Sequence, residues 1–362
     1  MAMELHLVGG FLGSGKTTAI ITLSRALIAQ GKKVGVVTND QGKYLVDSSF
    51  MRANSIPSVE VTNGCFCCNY DRLEDKLAEL KSSEHPDVVF AESVGSCGDI
   101  VATVIKPLQE LSGSDTPPTS FSVFADSQLL LAYLQGEELP FSENVLYIFE
   151  KQLEEAQILV LNKIDLLTQP EADEVLNLAA RAFPEKTIHT QDSKSMQSVM
   201  DWYGLLNDHP VLADLRAIEM DYERYGQGES ELAWFDQELE IQSSSGNVLC
   251  VINDLIQRII NTLGTMHATI GHLKFIVATN SGELEIGITT IEQKGWNSGL
   301  HESNEDHASV LINARVQIAP DRLKTVISDG IAEISKEPGV TIQAAQADSF
   351  KPGFPKPTHR MN

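Results

Sequence analysis

The chain has 362 residues, 42% of them hydrophobic and 21% charged, which is typical of a folded protein with a sizeable core. At this length we expect one large domain and one smaller domain. The 50 acidic residues outnumber the 27 basic ones and give a net charge of −23. Such a surface disfavours partners that present phosphate backbones or anionic lipid, so neither nucleic-acid binding nor membrane binding is expected.

The start of the sequence and its cysteines favour a cytoplasmic protein. The stretch MAMELHLVGG lacks the basic and apolar regions of a signal peptide and is typical of a first strand. No apolar run in the sequence approaches the roughly 20 residues that span a bilayer. The five cysteines are odd in number and three are clustered, which does not fit a secreted disulfide framework.

Short apolar runs alternate with helix-like stretches over residues 1–205. Residues 4–10, ELHLVGG, have the pattern of a buried strand, and residues 17–31 have the apolar spacing of a helix that ends at Gly31. The same criteria predict strands at 33–40, 87–93, 119–126 and 156–165 and helices at 71–83 and 171–183. This alternation predicts an α/β domain with a mostly parallel sheet covered by helices.

The pattern changes after residue 205. Residues 206–231 include the polar stretch DYERYGQGESE, which has no periodicity, and are predicted to be a linker. Residues 232–348 are predicted to form a smaller α+β domain that resembles a split βαβ with one added strand. Its predicted elements are strand 232–242, helix 247–264, strands 272–279, 283–291 and 308–317, helix 320–335 and strand 340–348. Residues 349–362 contain three prolines and are predicted to be an extended tail.

A phosphate-binding loop follows the first strand. GFLGSGKTT, residues 10–18, fits G-x-x-x-x-G-K-[ST], in which glycines let backbone N–H groups face phosphate oxygens. Lys16 would place its charge on the β and γ phosphates, and Thr17 would offer a hydroxyl to Mg²⁺. The position between a strand and a helix predicts a P-loop NTPase domain. The predicted nucleotide-binding residues here are Gly10, Gly13, Ser14, Gly15, Lys16, Thr17 and Thr18.

A second motif selects the base. LVLNKIDLL, residues 159–167, places Asn162, Lys163 and Asp165 after an apolar strand. The Asp165 carboxylate can accept from N1–H and the exocyclic amine of guanine, a pair of donors that adenine lacks. Lys163 can lie over the purine ring, and Asn162 can tie this loop to the phosphate loop. Together with the P-loop, this motif predicts GTP rather than ATP.

Two further strands end in acidic residues. VTND ends with Asp40 and VVFAES contains Glu92, both at the sheet edge where α/β folds bind ligands. Glu92 is predicted to hold Mg²⁺, directly or through water, and Asp40 is a second candidate or orients the attacking water. With Lys16 they form the predicted catalytic set. A helix N-cap or a solvated loop acid is the alternative for each, and residues 41–47 are a candidate switch that senses the γ-phosphate.

Three thiols fall within four positions. VTNGCFCCNY contains Cys65, Cys67 and Cys68, and thiolates select Zn²⁺, Cu⁺ and related metals. In an extended strand Cys68 would oppose the other two, so a shared metal site needs a turn, which the preceding Asn63-Gly64 pair favours. A redox dithiol and inert buried cysteines are the alternatives.

The motifs together resemble those of a known family. GGFLGSGKTT, TNGCFCC, ESVGSC and NKID, in this order and at these separations, are similar to the CobW-like family of metallochaperone GTPases. VTND is also similar to the nickel-insertion GTPases of urease and hydrogenase maturation. The resemblance covers residues 8–167. It implies GTP hydrolysis coupled to handling of a transition metal, Cys65, Cys67 and Cys68 as ligands near the nucleotide, and a C-terminal domain that engages the client.

One departure concerns histidine. Many members of the family carry a His-rich stretch, whereas the nine histidines here are scattered. His267, His272, His301 and His307 are interpreted as surface or core residues. Cys97, in ESVGSCGD, could approach the thiols. Cys250, inside an apolar helix, is assigned to the core.

These observations predict a GTP-hydrolysing metallochaperone that binds Zn²⁺ or Co²⁺ through its CxCC motif and releases the metal to a client on hydrolysis. The client is an unidentified metalloprotein or corrinoid enzyme, and a homodimer is open. One alternative is a regulatory GTPase switch with a structural zinc site. Another is an ATP-using P-loop enzyme, which the NKxD motif disfavours.

Overall fold

The computed structural model describes residues 3–40, 51, 54–62, 64–111, 119–209, 215–301 and 304–362. Within these residues the chain divides into two compact units, with a boundary between Gly228 and Glu229. The second unit extends to Gly353, and Phe354–Asn362 belong to the first unit.

The first unit is a parallel sheet with helices in its connections. The strands pair in the order β3-β2-β4-β1-β5-β6-β7, all in parallel, which confirms the α/β class predicted from the sequence. In chain order the elements are β1 (Glu4–Gly10), α1 (Lys16–Ala29), β2 (Val34–Asp40), β3 (Ser58–Thr62), α2 (Tyr70–Glu84), β4 (Val88–Glu92), α3 (Lys106–Glu110), β5 (Thr119–Asp126), α4 (Ser127–Gln135), α5 (Glu143–Glu155), β6 (Ile158–Asn162), α6 (Gln169–Ala182), β7 (Thr187–Gln191), α7 (Met196–Asp208) and α8 (Tyr222–Glu231).

Strand β2 shows why the sheet is covered on both faces. Val34 and Val36 belong to the same buried cluster as Leu23 of α1 and Trp202 of α7. Gly35, between them, faces the other way and lies against Leu80 of α2. Since successive side chains of a strand point to opposite faces, the first four residues of this strand, VGVV, are all apolar, as expected for a sheet buried on both sides.

The second unit has an antiparallel sheet with strand order β10-β9-β11-β8-β12, and β13 also pairs with β8. Strand β11 lies between β8 and β9, which α9 connects, so the predicted split βαβ with an added strand is present. Helix α9 buries an apolar face, and none of the described helices is long and apolar enough to cross a bilayer. The elements are β8 (Ala233–Ser243), α9 (Val248–Thr265), β9 (Thr269–Thr279), β10 (Gly282–Ile288), β11 (His307–Gln317), α10 (Pro320–Ile334), β12 (Val340–Ala344) and β13 (Asp348–Phe350).

The segment 206–231, predicted as a linker, contains the end of α7 and all of α8. The carboxylate of Asp221 accepts from the Glu223 and Arg224 N–H groups, which begins α8 despite its polar, glycine-containing sequence. Tyr225 is buried and accepts from the Gly98 N–H at 3.0 Å. Gly228 lies so close to the Asn144 carbonyl that a Cβ would be 2.4 Å from its oxygen. Tertiary contacts therefore override weak local propensity.

A buried carboxyl at the end of α5 makes stability depend on pH. Glu155 is 3% exposed and accepts from the Val101 N–H at 3.3 Å. Burial, with the nearby Asp99 carboxylate, raises the pKa of Glu155 well above its usual value. The folded protein therefore holds a proton that the unfolded chain releases above about pH 4.3, and stability falls as the pH rises through the raised pKa.

We expect Glu155→Gln, which keeps an acceptor for Val101, to raise the thermal unfolding midpoint, with a gain that grows from about pH 5 to about pH 8. Differential scanning calorimetry at several pH values measures this gain. The matched control is Glu154→Gln, one position earlier, whose side chain is 51% exposed and pairs with Lys151. It measures the general effect of replacing a carboxylate by an amide at the end of α5. A gain for Glu155→Gln that stays constant or shrinks with pH would contradict the raised pKa.

Candidate nucleotide and metal site

The phosphate loop requires glycine at two positions. Gly10 has φ +129°, and a Cβ there would lie 2.2 Å from the Phe124 carbonyl oxygen. Gly15 has φ +87° and directly precedes α1, and its Cβ would lie 2.3 Å from Nδ2 of Asn162. Both conformations are in the left-handed region that favours glycine, and neither site has space for a side chain. The loop is thus packed closely against β5 and the NKxD loop.

Lys16, Thr17 and Glu92, predicted to act on phosphate and Mg²⁺, are all buried at this edge of the sheet. The Lys16 ammonium donates to the Gly10 carbonyl at 2.7 Å. The Thr17 hydroxyl donates to Oε1 of Glu92 at 2.8 Å, which joins the start of α1 to the end of β4. The Ser14 hydroxyl is buried within the loop and has no hydrogen-bond partner among the described residues. A ligand rich in oxygen atoms would accept hydrogen bonds from the Lys16 ammonium and the Ser14 hydroxyl.

The NKxD loop contacts the phosphate loop through Asn162. Its Nδ2 donates to the Ser14 carbonyl at 2.7 Å, and its Oδ1 accepts from the Ser193 hydroxyl at 2.7 Å. Lys163 has φ +61° and forms an ion pair with Asp126 at 2.8 Å. Asp165 is exposed in the adjacent 3₁₀ turn. Sequence reasoning missed Ser193, although its position just after strand β7 is where ligand-binding residues occur in α/β folds.

The cysteines lie in a tight turn that follows β3. The Sγ–Sγ distances are 2.7 Å for Cys65–Cys67, 3.3 Å for Cys65–Cys68 and 3.6 Å for Cys67–Cys68. The Cys68 N–H donates to the Cys65 carbonyl, and Gly64 enters the turn with φ +135°. Thiolates bound tetrahedrally to Zn²⁺ lie about 3.8 Å apart, so small movements would admit the ion. Among the described residues, this is the one group of three or more ligating side chains that could hold a metal.

Asn39, near the end of β2, holds this turn. Its Nδ2 donates to the carbonyls of Val61 at 3.0 Å and Gly64 at 2.8 Å, and its Oδ1 accepts from the Phe66 N–H at 2.9 Å. The side chain is 5% exposed. Three hydrogen bonds from one buried amide fix the backbone on both sides of Cys65. In VTND only the aspartate was predicted to act in the site, although a buried amide at a strand end can also order a loop.

A fourth thiol adjoins the turn. Cys97 is buried and hydrogen-bonds to the thiols of Cys65 and Cys67. Bonds from Cys67, Cys68 and Cys97 hold the pKa of Cys65 well below its usual value, because they stabilise the thiolate. The bond to Cys65 raises the pKa of Cys67 and raises the pKa of Cys68 to about 11. Cys65 is therefore the thiol of this cluster that loses its proton most readily, and a bound metal would displace the protons of the others.

The remaining predicted site residues are Asp40, the switch segment and the histidines. Asp40 ends β2 and pairs with Thr62 of β3, and the predicted switch segment 41–47 lies outside the described residues, as does Asn63. The histidines discussed above lie in the second unit, where His307 contacts Glu240 at 2.7 Å.

Residues 4–190, more than half of the chain, match the sequence model of the CobW/HypB/UreG nucleotide-binding domain. The chain belongs to this family. The match begins with β1 and includes the phosphate loop, the thiol turn and the NKxD loop. The CobW-like resemblance seen in the sequence motifs is confirmed.

Similar proteins include two named zinc chaperones. Zinc chaperone CobW of Sinorhizobium sp is 30% identical over 180 residues, which cover 44% of this chain and 50% of the relative. Zinc chaperone YeiR of Escherichia coli is 30% identical over 178 residues, or 47% of this chain and 49% of the relative. The chain thus spans about half the length of these curated relatives. The crystal structure of Zn(II)-bound YjiA GTPase from E. coli is 13% identical and covers 91% of this chain and 99% of that one, with a TM-score of 0.39.

We expect Asn39→Asp to weaken Zn²⁺ binding by about tenfold, because a carboxylate cannot donate to the two carbonyls that the amide holds. The measurement is a titration of metal-free protein against a competing chelator. Asn207→Asp is the matched control, since that amide also donates to a backbone carbonyl, of Tyr203 at 3.1 Å, but on α7. Equal affinities for the Asn39 variant, the control and the unmodified protein would rule out a positioning role for Asn39.

Proposed function

We propose that the protein is a GTP-hydrolysing metallochaperone that binds Zn²⁺ or Co²⁺ at its thiol turn and releases the ion to a client on hydrolysis. The observation that carries this proposal is the short connection between the two sites. Glu92, which contacts Thr17 of the phosphate loop, is the last residue of β4. Cys97, which contacts Cys65 and Cys67, lies five positions later in the loop that follows. A change at the phosphates that moves Glu92 can therefore also move the Cys97 thiol, because only a short segment joins the two residues.

The nucleotide half of the proposal rests on the positions and charges of side chains in this chain. The loop glycines would present N–H groups to the phosphates, Lys16 would neutralise them, and Asp165 would accept from guanine. The Thr17 hydroxyl and Glu92 carboxylate are adjacent hard oxygen donors, which fit Mg²⁺. When bound there, Mg²⁺ supplies positive charge to the phosphate oxygens. Asp40 is the proposed residue that orients water.

The metal half rests on the sulfur donors. Cys65, Cys67 and Cys68 would supply three thiolates, and Cys97, which hydrogen-bonds to two of these residues, is proposed as the source of a fourth. Soft sulfur ligands suit Zn²⁺ and also Co²⁺. In this proposal the ion is cargo, and its recipient is a metalloprotein or a corrinoid enzyme in the cytoplasm. A homodimer is a further proposal.

A second candidate is a regulatory GTPase switch with a structural zinc ion. The burial of Cys65 and Cys67, which are 6% and 1% exposed, favours it, because a buried four-sulfur site exchanges its metal slowly. The two candidates differ in whether the nucleotide changes metal affinity.

We expect Zn²⁺ and Co²⁺ to bind at least about tenfold tighter with Mg²⁺ and a non-hydrolysable GTP analogue than with GDP, the size of an ordinary allosteric coupling. The measurement is an anaerobic titration against a competing chelator, with a nucleotide-free series and an ATP-analogue series as references. Metal affinity that is the same in every series would instead support the regulatory switch. An equal effect of the ATP analogue would contradict recognition of guanine.

For the donor set, we expect Cys97→Ser to remove about a quarter of the sulfur-to-cobalt charge-transfer absorption of the Co²⁺ form, since one of four Co–S bonds is lost. Cys250→Ser, in α9, is the control because it removes a partly buried cysteine from the second unit. Absorption spectra at equal Co²⁺ occupancy provide the comparison. A Cys97→Ser spectrum that matches the control would show that only the CxCC thiols coordinate the ion.

A further inference from the structure

Residues Phe354–Asn362, which we call the cover segment, lie on the thiol turn. The Thr358 N–H donates to the Cys67 carbonyl at 2.9 Å, and the Thr358 hydroxyl donates to the Cys68 carbonyl at 3.1 Å. The Lys356 N–H donates to Sγ of Cys68 at 3.2 Å. The cover segment therefore contacts both the backbone of the turn and one of its sulfur atoms.

The cover segment is also fixed on the other side of the thiol cluster. The Arg360 guanidinium donates to Oδ2 of Asp99 at 2.8 Å and to the Ile218 carbonyl at 2.8 Å. Asp99 is fully buried and lies two positions after Cys97. Charge-assisted hydrogen bonds of this kind are stronger than neutral ones. One short segment thus joins the Cys67–Cys68 backbone to the loop that carries Cys97.

The contacts of the cover segment can form and break reversibly. Pro355 and Pro357 restrict the segment to extended conformations, which lowers the entropy lost when it binds. The His359 ring meets Tyr70 edge-on with centroids 5.1 Å apart, the Phe354 ring lies against Gly226, and the other contacts described above are hydrogen bonds. The segment resembles a bound peptide more than a part of the core.

We propose that the cover segment controls access to the thiol site: when bound it slows metal exchange, and it has to leave before the metal passes to a recipient. Cys68 is the least buried of the three clustered thiols, and the Lys356 N–H occupies a position beside its sulfur. A recipient that took the ion through Cys68 would have to displace this segment. The proposal rests on the proposed metal function, but the cover itself can be tested without metal.

The test compares Arg360→Ala with Lys351→Ala in the whole 362-residue chain. Both variants lose one positive charge, but Lys351 is exposed and precedes the cover segment. Two rates are measured, alkylation of Cys68 by iodoacetamide in metal-free protein, followed by mass spectrometry, and transfer of Zn²⁺ from loaded protein to a chromophoric chelator. Loss of hydrogen bonds to a charged group predicts that Arg360→Ala raises both rates about tenfold. Lys351→Ala should leave both within about twofold of the unmodified protein.

A second variant keeps the test valid if loss of Arg360 disturbs the buried Asp99. Thr358→Pro removes the N–H that Cys67 accepts and leaves Asp99 untouched, and it should raise both rates as well. Unchanged alkylation of Cys68 in both variants would overturn the cover. Faster alkylation with unchanged transfer would overturn its role in metal exchange. Failure of the unmodified protein to retain Zn²⁺ would overturn the proposed function, and the alkylation rates would still decide on the cover.

Discussion

The side chain of Asn39 holds the thiol turn against the sheet, and the arrangement of the sulfur atoms depends on it. A buried amide that forms three hydrogen bonds fixes two carbonyls and one N–H that would otherwise be buried without partners. The backbone on both sides of Cys65 is thereby set before any metal binds. Such preorganisation lowers the entropic cost of gathering three thiols around an ion.

The parallel sheet explains why this turn and the phosphate loop lie at the same edge of the sheet. Strands β1, β2, β3 and β4 are neighbours and run in the same direction, so the loops at their carboxyl ends emerge at one edge. The phosphate loop follows β1, the thiol turn follows β3, and the loop from Glu92 to Cys97 follows β4. The phosphate loop and the thiol turn thus share one edge of the sheet as a consequence of topology.

The electrostatics of the thiol cluster favour exchange of protons for metal. Neighbouring S–H donors lower the pKa of Cys65, while the pKa values of Cys67 and Cys68 are raised because they hydrogen-bond to Cys65 and a second negative charge so close to the first is unfavourable. A divalent cation removes that repulsion and releases the protons. The cover segment adds the Lys356 N–H as a hydrogen-bond donor to Cys68. The sulfur of the least buried thiol is therefore hydrogen-bonded by a residue that lies outside the turn.

The amino-acid sequence by itself determined the local chemistry. The glycines of the phosphate loop, the NKxD loop, the CxCC turn and the alternation of strands and helices are each contained in short stretches, and their spacing predicts fold class and ligand types. Tertiary structure alone decided which distant groups meet. Asn39 donates to the carbonyl of a residue 25 positions away, and Thr358 donates to a carbonyl 290 positions away. The periodicity of apolar residues in the sequence does not indicate which groups at such separations come into contact. Helix α8 and the site of the cover segment follow the same rule, because hydrogen bonds and packing formed only in the folded chain outweigh weak local propensity.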